Sequence, residues 1–374
     1  MYKEFVPFEL ERFMSIWEYQ VDYNLSESGV HPMTTRELVQ DEDFLARLLE
    51  TELNYPQTNG LHQLRDQIAQ YYPGSNRDNV VVTTGAAQAN FTSILSLMDA
   101  GDEIAIMLPN YMQIWGIAKN LGLKINTFSL REDSGWHLDE EALQKAITPN
   151  TKLVAVCNPN NPTGHIFTNN ERQLIVNATQ KAGAWLLADE VYSGAEHWTD
   201  EVTPSLWLDY DKVLAIGSLS KAYGLPGLRI GWVVTQKDTA DEIWARQDYV
   251  TICTTQLSNQ LAAYALSPDV RHRILQRTRT LTRQGYQNFK QQMDAYPELF
   301  SFTPPDAAAI GFVRYNKEIP SRTLVDNLIQ KHKTYVVPGA HFGLENHLRI
   351  SYGLEEAYVN EGIKRVIEEL LQNK

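Results

Sequence analysis

Short runs of apolar and β-branched residues recur between residues 80 and 235 of this chain, at 80–83, 104–107, 124–128, 153–156, 185–188, 213–217 and 231–235. Longer stretches with helical spacing of apolar residues, such as 139–147 and 171–181, lie between them. Strands that apolar must be covered on both faces, and the intervening stretches are long enough for crossover helices. The alternation therefore predicts an α/β fold: a large domain with a mainly parallel seven-stranded sheet and helices on both faces. From about residue 269 the pattern changes to long charged helices, then short strands near 310–315 and 348–352, then a closing helix. That tail predicts a smaller α+β domain. Residues 1–35 fit neither pattern. The expected organisation is an N-terminal segment, 1–35, across the join, a large domain, 36–268, and a small C-terminal domain, 269–374.

At 374 residues the chain is long enough to bury two cores. Its net charge of −13 argues against nucleic acid or an anionic membrane as partner. No apolar run approaches the ~20 residues of a membrane helix, and the N-terminus carries acids where a signal peptide has a basic flank. A cytoplasmic location is expected. Cys157 and Cys253 suggest neither a disulfide framework nor a metal site, and the nine histidines show no ligand spacing, so no metal is expected.

Open α/β sheets bind ligands beyond the carboxyl ends of their strands, and chemically capable residues collect there. After 80–84 comes Gly85-Ala86-Ala87-Gln88, either an ordinary strand-to-helix turn or, with free N–H groups at a helix start, a phosphate site. The run 186–188 delivers Asp189 to a strand end. There a carboxylate is either a solvated cap or buried against a cation such as a protonated pyridine nitrogen. The run 213–217 leads into Ser218-Leu219-Ser220-Lys221, with Arg229 eight residues on. Two hydroxyls and an arginine suit a phosphate dianion, and the lysine suits a nucleophile and proton shuttle. Asn158-Pro159-Asn160-Asn161-Pro162-Thr163-Gly164 also follows a strand, and a turn does not require asparagine before each proline.

Together these motifs resemble the fold-type I, class I/II aminotransferase family, whose members use pyridoxal 5'-phosphate (PLP). The resemblance runs from about Tyr55 to Arg349. It implies that Lys221 carries PLP in Schiff-base linkage and moves protons at the substrate α-carbon, while Asp189 pairs with the ring N–H. It implies that Asn161 and Tyr192 bond the ring hydroxyl and that Tyr111 stacks on the ring. Ala86 and Ala87 amides, Ser218, Ser220 and Arg229 would hold the phosphate. Tyr55 would reach the phosphate of a neighbouring subunit, so a homodimer with active sites at the interface is expected. Arg349 would clamp the α-carboxylate of an amino-acid substrate.

Family membership leaves the reaction open. Dicarboxylate-specific relatives carry a second arginine in the region corresponding to 248–256, and none stands here. The N-terminal segment, which covers the active site in this family, is acidic, with Glu9, Glu11, Glu18, Asp22 and Glu27. Glu11 and Ser26-Glu27-Ser28-Gly29-Val30-His31 resemble the branch that forms capreomycidine by cyclising a hydroxylated arginine. Trp17-Glu18-Tyr19 resembles PLP-dependent arginine oxidases, in which the matching glutamate binds guanidinium. The implied substrate contacts are Glu9, Glu11, Glu18, Gly29, Val30, Asn161 and Arg349, with His31 assisting proton transfer or merely packing. The expected reaction is cyclodehydration of a hydroxyarginine to an enduracididine- or capreomycidine-type amino acid. The alternative is transamination of a neutral or basic amino acid.

Overall fold

A computed structural model describes residues 5–372; the four residues before and the two after lie outside it. Its main sheet has eight strands: β1 Val80–Thr83, β2 Glu103–Leu108, β3 Lys124–Arg131, β4 His137–Leu138, β5 Thr151–Cys157, β6 Trp185–Asp189, β7 Val213–Ser218 and β8 Gly231–Val234. In space they run β1-β8-β7-β6-β5-β2-β3-β4. The pairs from β7 through β6, β5 and β2 to β3 are parallel. Strand β8 is antiparallel to both neighbours, and β4 is a two-residue antiparallel return from β3. Seven strands stand where apolar runs predict them. The eighth, β4, is too short to produce such a run.

Side chains alternate across the sheet as strand geometry requires. Val80, Val82, Leu186 and Ala188 face one apolar core, and Val81 and Leu187 face the other. Both faces are thus covered, which explains why the runs are continuously apolar rather than alternating. The chain order reverses between β2 and β5, so their carboxyl ends diverge into a crevice.

A second, four-stranded antiparallel sheet runs Phe300–Ser301, Ile310–Tyr315, His347–Ser351 and Val337–Pro338 in space. The helix Pro268–Asp294 leads into it from the main sheet. The N-terminal chain is bound to this C-terminal region. Tyr23–Asn24 pairs in parallel with Thr334–Tyr335. The Leu25 N–H donates to Tyr335 O (2.8 Å), and the Ser351 and His31 N–H groups donate to Leu25 O (2.9 Å) and Gly353 O (2.8 Å). Among the described residues no helix is long and apolar enough to cross a membrane.

Candidate active site

The carboxyl ends of these strands open into a cavity of about 370 Å³. Asp189, the last residue of β6, lies at its floor and is 5% exposed. Asn90 Nδ2 donates to its Oδ2 at 3.2 Å, and the Val191 N–H to its Oδ1 at 3.4 Å. Burial pushes the carboxyl above its usual range; the two neutral donors and the charge of Lys221 offset this in part. A carboxylate with only neutral hydrogen-bond donors is stabilised by a cation delivered into the cavity, and a pyridinium N–H is such a cation.

At the other end of the cavity two glycines permit a close convergence. A Cβ on Gly85 would stand 2.3 Å from Arg229 Nη2, and one on Gly231 would stand 2.5 Å from the Ala86 nitrogen. Gly85 opens the helix Gly85–Leu97, so Ala86 and Ala87 present N–H groups that no preceding turn can accept. Ser218 Oγ donates to Ser220 Oγ at 3.0 Å, and Arg229 Nη1 reaches Ser220 Oγ at 3.4 Å. A guanidinium, two hydroxyls and a helix N-terminus match a phosphate dianion. Lys221 lines the same cavity, near enough to Asp189 for its charge to bear on that carboxyl.

Asn161, in the loop that leaves β5, accepts from Arg349 Nη1 at 3.0 Å. Arg349, 2% exposed, also donates Nη2 to Ser26 O at 2.5 Å, and its Nε has no hydrogen-bond partner among the described residues. A buried guanidinium that meets only neutral oxygens suits an incoming carboxylate. It stands behind Asn161 rather than on the cavity wall. Tyr192 donates its hydroxyl to Ser28 Oγ at 2.9 Å, and Tyr111 donates to Glu11 Oε1.

The remaining wall is acidic. In the helix Glu9–Trp17 and its two caps, Phe8, Glu11, Met14 and Glu18 recur at three- and four-residue intervals, which sets them on one face. All four line the cavity, as does Glu27. Partial burial and the negative charges of Glu27 and Glu11 hold the Glu18 carboxyl above its usual range. Leu10 and Phe13 on the buried side fix the helix to the C-terminal region, with Phe13 against Tyr335 and His341.

Of the residues singled out in the sequence, Ala86, Ala87, Tyr111, Asn161, Asp189, Tyr192, Ser218, Ser220, Lys221, Arg229, Glu11 and Glu18 line this one cavity. Glu9 and His31 do not; both are exposed. Glu9 points away because the face of its helix that carries Glu11 and Glu18 is the one turned inward. The backbone of His31 is tied to Gly353 and Arg277. Gly29 and Val30 stand behind the Lys221 loop: a Cβ on Gly29 would lie 3.2 Å from Ser220 O, and one on Gly224 would lie 3.0 Å from Val30 Cγ2. Tyr55 is 80% exposed and away from this cavity.

Sequence reasoning assigned no role to Glu27, Asn90 or Gln113, which also line the cavity. A signal for Asn90 exists, since it follows Ala86 by four residues and so continues the helix face that turns to the cavity. Glu27 lies in an extended stretch where no periodicity marks the inward side.

A buried acid for a ring nitrogen, a lysine beside it and a phosphate cradle at the proper end define a PLP-dependent enzyme of fold type I. The group fits the residues present: the glycines let Arg229 and the Gly85–Ala86 turn close together into a phosphate cradle, and Asp189 needs the cation that the ring provides. The model of the family "Aminotransferase class I and II" matches residues 23–366, and the chain belongs to that family. Capreomycidine synthase of Streptomyces vinaceus is 30% identical over 96% of this chain and 93% of its own length. A PLP-dependent aminotransferase from Streptococcus suis superposes with a TM-score of 0.92 at 29% identity, covering 100% of this chain and 99% of that one. The PLP-dependent cyclase OrfR shares the fold, with a TM-score of 0.87 at 24% identity over 100% and 99% of the two chains.

Proposed function

We propose that the protein converts a hydroxylated L-arginine into a cyclic guanidino amino acid by loss of water. The observation that carries this reading is the cluster of Glu11, Glu18 and Glu27 on the cavity wall, with Glu18 held above its usual range by partial burial and by the charges of Glu27 and Glu11. Three carboxylates at one site call for a cationic side chain, and a planar guanidinium can meet two of them with paired hydrogen bonds. The 30% identity to capreomycidine synthase over nearly the whole chain supports the same reading.

PLP, when bound, supplies an electron sink that makes the substrate Cα–H acidic. Asp189, oriented by Asn90, would hold the ring N–H, and Arg229, Ser218, Ser220 and the Ala86 and Ala87 amides would hold the phosphate. Asn161 and Tyr192 would bond the ring hydroxyl, and Tyr111 would stack on the ring. Arg349 would receive the α-carboxylate and Lys221 the Cα proton. The side-chain hydroxyl would take up a proton and leave as water; a guanidine nitrogen, turned inward by Glu11, Glu18 and Glu27, would bond to the carbon it vacated and release its N–H proton, and Lys221 would return the proton to Cα. The product is the substrate less one water, with its α-amino group retained. In this reading residues 1–35 form the substrate wall, 36–268 the cofactor domain and 269–374 the small domain, and a homodimer brings Tyr55 to the partner's phosphate.

The likeness to the Streptococcus suis aminotransferase favours a second reading, amino transfer from a neutral or basic amino acid. One experiment separates the two. PLP-loaded protein is incubated without a keto acid with L-arginine and its 3-hydroxy and 4-hydroxy derivatives, and products are weighed by mass spectrometry. Loss of one water from a hydroxyarginine is expected. Amino transfer on addition of pyruvate or 2-oxoglutarate, with no water loss beforehand, would establish the second reading instead.

A further inference from the structure

Outside the cavity, three residues from a strand, a loop and a helix converge. His137 belongs to β4, His165 follows the loop that carries Asn161, and Glu171 stands in the first turn of the helix Asn169–Ala182. One ligand atom from each lies within 4.8 Å of the others. His165 Nε2 is 3.2 Å from both Glu171 oxygens, and His137 Nδ1 is 3.2 Å from Oε1. Donor atoms around a tetrahedral Zn²⁺ with bonds of roughly 2.0–2.2 Å stand about 3.3 Å apart, so small shifts bring the three to bonding distance.

We propose that His137, His165 and Glu171 form a binding site for a divalent transition-metal ion, with Zn²⁺ the best match to two imidazoles and a carboxylate. The groups behind the three ligands support it. Metal-bound histidines commonly carry a carboxylate on the far ring nitrogen. Here His165 Nδ1 lies 3.4 Å from Asp306 Oδ2, and the Ile166 N–H fixes the same oxygen at 3.1 Å. Glu171 is held by the Leu138 and Thr168 N–H groups, each at 2.7 Å, and by Thr168 Oγ1 at 2.8 Å. His165 and Glu171 are buried, while the His137 side chain is 53% exposed, which leaves an entry path and room for coordinating water.

The ion would also brace the active site from outside. The Asn160 N–H donates to His165 O at 2.9 Å, so a metal on His165 would fasten the loop that holds Asn161. The spacing of 137, 165 and 171 resembles no ligand motif, which is why the sequence carries no expectation of a metal.

The test is a Zn²⁺ titration of PLP-loaded, chelator-stripped protein in competition with a chromophoric chelator, with the PLP absorbance followed so that metal on the cofactor is recognised. One equivalent per chain is expected to compete with the indicator. His137→Ala, a change at an exposed side chain, should weaken binding at least tenfold. Asp306→Asn, which keeps all three ligands, should weaken it about 10- to 100-fold. Circular dichroism confirms that each variant is folded. If the wild type binds no more Zn²⁺ than a His137→Ala/His165→Asn double variant, the cluster is an ion-paired brace and the proposal is overturned. Asp306→Asn binding as tightly as wild type would equally overturn a built site.

Discussion

At the scale of single residues the cavity joins groups whose charges answer one another only when a ligand is present. Glu18 offers the sharpest test. Its raised pKa means that it gains a proton at a higher pH than an ordinary glutamate, and a guanidinium needs it ionised. KM for arginine-type substrates should therefore climb as pH falls through that raised value. Glu18→Gln should raise KM roughly tenfold, about 1.4 kcal/mol, and flatten this acid limb, while alanine-type substrates respond little. An unchanged limb in the variant would remove Glu18 from guanidinium binding. Asn90 tests the other end: Asn90→Leu removes a donor from buried Asp189. With a hydrogen bond to a charged group worth about 1.5–3 kcal/mol, PLP affinity should fall by an order of magnitude or more, and the near-visible absorption should change. An unaltered affinity and spectrum would reduce Asn90 to packing. Lys221, Asp189 and Arg229 were legible in the sequence because each closes or follows an apolar run, where a charged side chain has a cost that must be met. Glu27 was not, because an extended segment gives no periodicity by which to tell its inward side.

At the scale of elements, the central strands of the main sheet were legible because both their faces are buried and nearly all their positions are apolar. The helix Glu9–Trp17 was not, although Leu10, Phe13, Met14 and Trp17 have helical spacing. It is nine residues long, its N-cap Phe8 makes no side-chain capping bond, and it borrows its stability from the surface beneath it. Arg322 lies 3.7 Å over the Phe13 ring, and Tyr335 and His341 pack edge-on to it. Phe13→Ala should cost about 3–5 kcal/mol of local packing. The helix should then open to proteases and substrate KM should rise, with PLP absorbance unchanged. Equal loss of cofactor and substrate would show that the helix supports the whole site rather than its substrate wall.

At the scale of the whole molecule, long-range closure was the least legible feature, since nothing local in Tyr23–Asn24 announces its pairing with Thr334–Tyr335. The same holds for the meeting of His137, His165 and Glu171. Association belongs to this scale too. Tyr55, 80% exposed in the single chain, is expected to serve a second copy. The protein should sediment as a dimer, and Tyr55→Phe should weaken PLP binding about tenfold through loss of one charge-assisted hydrogen bond. A PLP-loaded monomer would sink that expectation. The tie between the first thirty residues and the last forty also has a consequence for synthesis on the ribosome. Chains emerge N-terminus first, and compact units fold as they become available. By the time Arg229 and β8 have emerged, every residue proposed for this subunit's cofactor cradle has been made, whereas the acidic wall must wait for the Thr334–Tyr335 strand that anchors its chain, and the proposed carboxylate contact for Arg349. The groups proposed to hold the coenzyme are thus all translated well before the set proposed to choose a substrate is complete.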